Sequence, residues 1–215
     1  FRYKRYTFIN LAGLTVGFCC FLLIMAYVNS EWKFDRFHSK ADRIYRAWTQ
    51  QKGENDHPML FATTCLPLAP ALSQKVQGIE AACRVYKTDI LAENQQHLVA
   101  EHLHLVDTNF FHVFDFRLQQ GDPGNAWPVS NSVVISRRAA EKYFSKSSPI
   151  GHVLSFRIGN RKQLLTVSGV AENSPSESSI QFDFLIPFFN EHLFFNDRML
   201  ASWGNVFVET KAFGN

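Results

Sequence analysis

The chain has 215 residues and a formal net charge of +3, from 22 basic and 19 acidic side chains. Its hydrophobic content of 46% excludes an intrinsically disordered protein, and four cysteines in this length exclude a small disulfide-rich scaffold. The whole positive excess comes from Arg2, Lys4 and Arg5, because residues 1–28 contain no acid and the remainder is neutral. A neutral main part does not indicate a nucleic acid partner.

The first predicted element is a membrane-spanning helix over residues 8–28. This run, FINLAGLTVGFCCFLLIMAYV, has no charged residue. As a helix it spans about 31 Å, close to the thickness of the hydrocarbon core of a bilayer. A cleaved signal peptide has a shorter apolar core and a small-x-small cleavage site, which the exit through residues 27–32 lacks. The sequence therefore predicts a helix that is retained in the membrane and in contact with lipid.

The charges that flank the apolar run predict its orientation. Arg2, Lys4 and Arg5 precede the run, whereas the charges of residues 31–36 cancel. The positive-inside rule then places the N-terminus in the cytoplasm. We expect a cytoplasmic basic tail at residues 1–7, the membrane helix at residues 8–28, and an extracytoplasmic domain at residues 29–215.

Two glycines in the membrane helix have the spacing of a helix-packing motif. Gly13 and Gly17 form GxxxG, which allows a second helix to approach closely. Glycine is also common in membrane helices in general. Packing against another membrane helix is therefore a hypothesis for these two residues.

After the membrane helix, the sequence predicts an α+β domain with a mixed sheet. Strands are predicted from alternating apolar and polar residues, and helices from apolar residues three or four apart. Single helices alternate with the strands, which is the pattern of this class. The predicted elements are a strand at 43–51, a helix at 66–76, strands at 82–88 and 98–106, a short helix at 108–114 capped by Asp107, a strand at 132–135, a helix at 136–144 capped by Ser136, and strands at 153–158, 164–170, 182–187 and 206–210.

The motifs of common enzymes are missing from the sequence. It contains no GxxxxGK[ST], GxSxG, HExxH or CxxC. His102 and His104 share one face of a predicted strand, but two ligands are too few for a metal site, and a solvated strand face is favoured. Asp183 could act as a general base, but a capping or loop-bridging carboxylate is favoured. We expect no catalytic residue, no bound cofactor and no metal ion.

Two cysteines outside the membrane helix leave one question open. Cys65 precedes a predicted helix and Cys83 lies in the strand after it, so they could be close in space. An extracytoplasmic location permits a disulfide bond. Two buried free thiols are equally compatible with the sequence.

Several segments, taken in order, carry a resemblance to one known family. They are YTFINLAGLTVG at residues 6–17, FDRFH at residues 34–38 with ADRIYR at residues 41–46, residues 107–116 with Gly-Asp-Pro at 121–123, SVVIS at 132–136 through YF at 143–144 and PIG at 149–151, and VSGV at 167–170 through FDFLIP at 182–187. Together they resemble the MacB/FtsX-type ABC transporter permeases. The first segment resembles the first membrane helix of these permeases, and residues 34–46 resemble the start of their periplasmic core domain.

This resemblance implies a larger protein with four or more membrane helices in a bacterial inner membrane. The chain then corresponds to the first helix and the first periplasmic domain, incomplete at its C-terminus. ATP hydrolysis is expected in a separate ATPase subunit or domain on the cytoplasmic side. The expected partners are that ATPase, a second permease copy and a periplasmic protein. The alternative is a single-pass sensor or receptor with an extracytoplasmic ligand-binding domain.

Overall fold

The computed structural model describes residues 3–53, 57–94, 97–145, 147–158, 161–194 and 203–211. Its first element is helix α1 (Lys4–Trp32), which has 29 residues and is therefore about 44 Å long. The helix extends beyond the uncharged run at both ends. Within the described residues, α1 is the one helix that is long and apolar enough to cross a membrane.

The domain that follows α1 combines strands with short helices. The described helices are α2 (Leu68–Lys75), α3 (Phe110–Val113), α4 (Arg137–Phe144) and α5 (Glu191–Phe194). The described strands are β1 (Ile44–Arg46), β2 (Thr49–Lys52), β3 (Pro58–Phe61), β4 (Thr64–Cys65), β5 (Ile79–Asn94), β6 (His97–Val106), β7 (Leu118–Gln120), β8 (Ser132–Ser136), β9 (Val153–Ile158), β10 (Arg161–Ala171), β11 (Phe184–Pro187) and β12 (Trp203–Thr210).

Six strands close into a ring in the order β5-β6-β11-β8-β10-β9. The pairs β6–β11 and β8–β10 are parallel, and the other pairs are antiparallel. The ring closes where Leu91 and Ala92 of β5 pair with Arg157 and Phe156 of β9. Parallel and antiparallel pairs in one sheet confirm the predicted mixed sheet and the α+β class.

The interior of this ring is an apolar core to which every one of the six strands contributes. Alternate residues of a strand point to opposite faces, so each strand presents one set of side chains inward. Phe156 and Phe184 lie at the centre, with their ring centroids 5.0 Å apart. The inward residues are Ile90, Ala92, Leu103, Leu105, Val133, Ile135, Leu154, Phe156, Leu165, Val167, Phe184 and Ile186.

A second core, rich in phenylalanine, covers the opposite face of β5, β6, β8 and β11. We call it the aromatic cluster; it includes Phe110, Phe114, Phe116, Phe182 and Phe207. The rings of Phe110 and Phe116 are stacked with their centroids 5.4 Å apart. Beside this cluster, β12 pairs with both β5 and β1. The aromatic cluster thus lies next to the strand that directly follows α1 and its connection.

The structure corrects one predicted strand. Residues 43–51 do not form a single strand, because β1 ends at Arg46 and β2 begins at Thr49. β1 pairs with β12, whereas β2 pairs with β3 in a separate hairpin. Both β1 and β2 are extended, as the alternating pattern predicts. The pattern does not predict that the extended segment divides into two strands with different partners.

The structure also corrects the predicted cap of the short helix α3. The N-cap residue of α3 is Asn109. The Asp107 carboxylate instead accepts hydrogen bonds from Arg84, from its backbone N–H at 2.8 Å and from its guanidinium at 2.6–3.0 Å. A capping prediction considers only residues that are close in sequence, so it does not include an arginine on a neighbouring strand. The predicted cap of α4 is confirmed, because the Ser136 hydroxyl accepts the backbone N–H of Ala139 at 3.0 Å.

Candidate functional site: the junction between the membrane helix and the domain

The connection between α1 and β1, residues 33–43, is attached to the domain at several points along its length. We call this segment the junction. Its first attachment is Asp35, whose backbone N–H donates to the carbonyl of Glu177 (2.8 Å). The Asp35 carboxylate accepts the backbone N–H of Ser179 (2.7 Å). Asp35 has a φ of 56°, a left-handed conformation that aspartate tolerates better than most residues.

The second attachment is His38, whose ring is buried in the aromatic cluster. The ring centroids of Phe37, Phe114 and Phe116 lie 3.9, 5.3 and 5.4 Å from that of His38. The Nδ1 atom of His38 accepts the backbone N–H of Asp115 (3.1 Å). In return, the Asp115 carboxylate accepts the backbone N–H of Ser39. The junction and the segment after α3 are therefore linked by two reciprocal hydrogen bonds.

The third attachment is an ion pair between the junction and β12. Glu209 is fully buried, and the Nζ atom of Lys40 lies 2.9 Å from its Oε1 atom and donates a hydrogen bond to its Oε2 atom (3.1 Å). Lys40 Nζ also donates to the carbonyl of His112 (3.0 Å). Arg43 lies 3.8 Å from Glu209 and 3.5 Å from Glu80, so a second cation shares the buried carboxylate.

Burial and these contacts determine the protonation of the junction. Burial lowers the pKa of His38, and the carboxylates of Asp115 and Asp35 oppose that change only in part. The ring is therefore neutral at neutral pH, and in this state Nδ1 can accept the hydrogen bond from the Asp115 backbone N–H. The described contacts of the junction therefore connect the end of α1 to residues 177–179, to the segment after α3 and to β12.

The two helix-packing candidates lie on an open surface of α1. A Cβ atom added at Gly13 or Gly17 meets no atom within 4 Å. Nothing in the described residues packs on this face, so contact with another helix stays a prediction. Of the basic residues that predict the orientation, Arg2 lies outside the described residues, Lys4 begins α1, and Arg5 is exposed. The orientation itself likewise stays a prediction.

His102 and His104, two of the histidines on β6, lie in different environments. His102 is exposed and its Nδ1 atom lies 2.8 Å from Asp89, whereas His104 is buried. Burial, with a smaller effect of Lys87, lowers the pKa of His104 to about 3, so this ring is neutral. The prediction of a solvated strand face is therefore wrong for His104, because β11 pairs with this part of β6. Among the described residues, no group of three His, Cys, Asp or Glu side chains could hold a metal ion.

Asp183 bridges two elements, as the sequence favoured. Its Oδ1 atom accepts hydrogen bonds from the Ser136 hydroxyl (3.2 Å) and the Arg138 guanidinium (2.7–3.0 Å). The carboxylate thereby joins the start of β11 to the start of α4. Cys65 and Cys83 are both free thiols, but the alternative of two buried thiols is correct only for Cys83, because Cys65 is exposed. Burial raises the pKa of the Cys83 thiol, which makes it unreactive.

Comparison with known proteins identifies the domain to which the junction belongs. The family model of the MacB-like periplasmic core domain matches residues 7–212. The chain belongs to this family. The matched region contains most of α1, the junction and all the described strands, so the family includes the membrane helix as well as the domain. No curated protein matches the chain.

Solved structures of MacB-like domains share the fold. A domain described as part of a permease from Porphyromonas gingivalis is 22% identical, with a TM-score of 0.62, and the match covers 83% of this chain and 77% of that one. The periplasmic region of MacB from Actinobacillus actinomycetemcomitans is 17% identical, with a TM-score of 0.57 and coverages of 80% and 77%. The extracellular domain of the noncanonic ABC-type transporter YknZ from Gram-positive bacteria is 19% identical, with a TM-score of 0.53 and coverages of 70% and 74%.

Family membership confirms the resemblance seen in the sequence. The chain is part of a membrane subunit of an ABC-type transporter, with a membrane anchor and an extracytoplasmic domain. The FDRFH segment of the junction resembles the family in sequence, but no local pattern predicts the roles of Asp35, His38 and Lys40. Glu209 was not predicted as a functional residue either. The available signal was a single charged residue at the end of the apolar strand segment VFVE.

Proposed function

We propose that this chain is the first membrane helix and first periplasmic domain of a permease subunit in an ABC-type export or mechanotransmission system. The subunit relays ATP-driven movement from the cytoplasmic side of a bacterial inner membrane to the periplasm. Its N-terminus is cytoplasmic, and the cations Arg2, Lys4 and Arg5 support this orientation. The observation that carries the proposal is the junction, which connects the helix to the domain without a flexible segment.

The spacing of the attachments supports a relay. A flexible linker of the length of residues 33–43 has a root-mean-square span of about 18 Å, and such a linker absorbs a helix displacement of a few ångströms. In the junction, Asp35, His38, Lys40 and Arg43 each contact the domain, so at most two residues in succession lack such a contact. A displacement of the stiff helix α1 is therefore passed to β12 and to the aromatic cluster.

The partners in this proposal follow from the relay. The energy comes from a separate ATPase subunit or domain on the cytoplasmic side. A second permease copy is expected to pack near Gly13 and Gly17, where α1 presents a narrow face to lipid. A periplasmic protein is expected to receive the movement. In this proposal the chain itself catalyses no reaction and binds no cofactor, metal ion or nucleic acid.

The first experiment is affinity purification of the tagged full-length protein from native membranes. We expect an ATPase of the ABC type to be recovered with it. Recovery of a kinase or another signalling protein in its place supports the alternative of a single-pass sensor and contradicts the relay.

The second experiment tests movement directly. The recovered complex is placed in nanodiscs with a spin label on the domain, and its depth above the bilayer is measured against paramagnetic lipids. ATP is expected to change this depth in the wild type. In a variant with Asp35→Ala and Lys40→Met, we expect ATP hydrolysis to continue while the change in depth is lost. Lys162→Met, which removes an exposed ion pair with Glu93 far from the junction in sequence, is the control and should behave as the wild type.

A further inference from the structure

His38 is a titratable side chain at the centre of the junction. Only 6% of the residue is exposed. The ring lies among those of Phe37, Phe114 and Phe116, which offer no polar group to an added charge. It also lines a groove shared with Asp35 and Arg46, so solvent reaches the edge of the site. A positive charge on this ring is unfavourable as long as the junction is closed.

The hydrogen bond of His38 requires the neutral ring. Nδ1 accepts the backbone N–H of Asp115 at 3.1 Å, and an acceptor nitrogen carries no proton. Protonation converts Nδ1 into a donor that faces another donor. The Asp115 N–H then loses its partner, and the reciprocal link through Ser39 is left alone to hold the junction against the segment after α3.

The charged groups around His38 oppose this effect but do not cancel it. The carboxylates of Asp115, after α3, and Asp35, in the junction, favour the protonated ring. Both are already engaged by backbone N–H groups, of Ser39 and Ser179 respectively. Further charged groups nearby are Arg36 and Asp42 of the junction, Arg46 of β1, and the Lys40–Glu209 pair, with Arg43 beside it, that joins the junction to β12. Burial is the largest influence, and the pKa of His38 is lowered.

We propose that protonation of His38 releases the junction, so that an acidic medium uncouples the membrane helix from the domain. The proposal rests on the proposed relay for its biological meaning, but not for the structural event itself. The sign follows from linkage. The open junction binds a proton at the ordinary histidine pKa of 6.5 and the closed junction only at a lower pH, so falling pH favours the open state in this interval. The open population rises by about tenfold for each pH unit between the two pKa values.

Hydrogen exchange of the full chain in detergent micelles measures this opening. Exchange is followed by mass spectrometry between about pH 7.5 and about pH 5, and labelling times are scaled for the intrinsic exchange rate at each pH. We expect peptides with residues 36–41 and 112–118 to lose protection as the pH falls below 6.5, by about tenfold per pH unit until the pH reaches the lowered pKa of His38 in the closed junction. Peptides from the ring strands β8 and β10 should keep their protection.

Two variants separate the role of His38 from a general effect of acid. In His38→Gln, the side-chain oxygen can still accept the Asp115 N–H but does not titrate, so protection should not depend on pH. His102→Gln removes an exposed histidine and should respond as the wild type does. An equal acid response in His38→Gln, or constant protection in the wild type, overturns the proposal.

If His38→Gln does not fold, NMR titration of the His38 ring in the wild type decides. Protonation of His38 that coincides with loss of protection supports the proposal, and protonation without it contradicts the proposal. Failure of the proposed relay is detected by a different experiment, the nanodisc measurement at neutral pH, in which ATP would then leave the depth of the domain above the bilayer unchanged. The two failures are therefore distinguishable.

Discussion

Replacing Lys40 by methionine should destabilise the domain far more than the loss of a surface ion pair does. The variant leaves Glu209, which has no exposed side-chain surface, without the cation 2.9 Å away. It also removes the donor to the His112 carbonyl. Loss of one partner of a buried pair costs about 3–5 kcal/mol, and Arg43 at 3.8 Å compensates in part. We therefore expect a loss of about 3 kcal/mol in the free energy of unfolding.

The assay is urea unfolding of the full chain in micelles, followed by tryptophan fluorescence. Lys162→Met is the matched control, because Lys162 forms a 2.8 Å pair with Glu93 in which both side chains are well exposed. Its unfolding midpoint should stay close to that of the wild type. A second substitution, Glu209→Gln, in the Lys40→Met variant should recover part of the lost stability, because a neutral amide is less costly to bury than an unpaired carboxylate.

Two outcomes would refute this reasoning. If Lys40→Met and Lys162→Met lower the unfolding midpoint equally, the Lys40–Glu209 pair contributes no more than a surface pair. If Glu209→Gln makes the Lys40→Met variant less stable, the cost in that variant does not come from an unpaired buried charge.

Three further predictions concern the junction, the cysteines and the membrane helix. Asp35→Ala should lower the free energy of unfolding in urea by about 2 kcal/mol, since it removes the acceptor for the Ser179 N–H and places alanine at a φ of 56°. Asp35→Asn should lower it by less than about 1 kcal/mol. Equal losses in the two variants contradict the role assigned to Asp35. With Cys19 and Cys20 replaced by serine, maleimide should label Cys65 in the native chain and Cys83 only after unfolding, and labelling that requires a reductant would reveal a disulfide instead. Leucine at both Gly13 and Gly17 should leave the stability of the chain itself unchanged, because no atom lies within 4 Å of the added Cβ, but should reduce cross-linking between membrane helices of the assembled permease; unchanged cross-linking contradicts a packing role.

Local signals allowed part of the fold to be predicted. The uncharged run at residues 8–28 predicted the central part of α1, and a serine before an amphipathic segment predicted the cap of α4, since both depend on neighbours in sequence. The helix predicted at 66–76 is present as α2, but it begins two residues later than predicted, at Leu68. Pro67 is its N-cap and Pro70 lies in its first turn, where proline costs little.

The parts that could not be predicted depend on contacts between residues far apart in sequence. The strand predicted at 43–51 breaks because β12, some 160 residues later, pairs with only its first part. Asp107 lies where a cap is expected but binds Arg84 of a neighbouring strand. His104 looks solvated in an alternating strand and is buried because β11 pairs beside it.

The junction itself shows the same division. The sequence resemblance included most of its residues, in the FDRFH segment and the one that follows. The partners of Asp35, His38 and Lys40, however, are Ser179, Asp115 and Glu209, which lie far away in sequence. Only the closed fold brings these partners beside the end of the membrane helix. The role of the segment could therefore be found in the structure and not in the local pattern.

The distance between α1 and the domain tests the central claim most directly. Spin labels are placed at Leu23→Cys on α1 and Gln119→Cys on β7, both exposed positions, in a variant without native cysteines in nanodiscs. Double electron–electron resonance should give one narrow distance distribution, which broadens when Asp35→Ala and Lys40→Met are added. A distribution that is already broad in the intact junction would contradict rigid coupling of the membrane helix to the periplasmic domain.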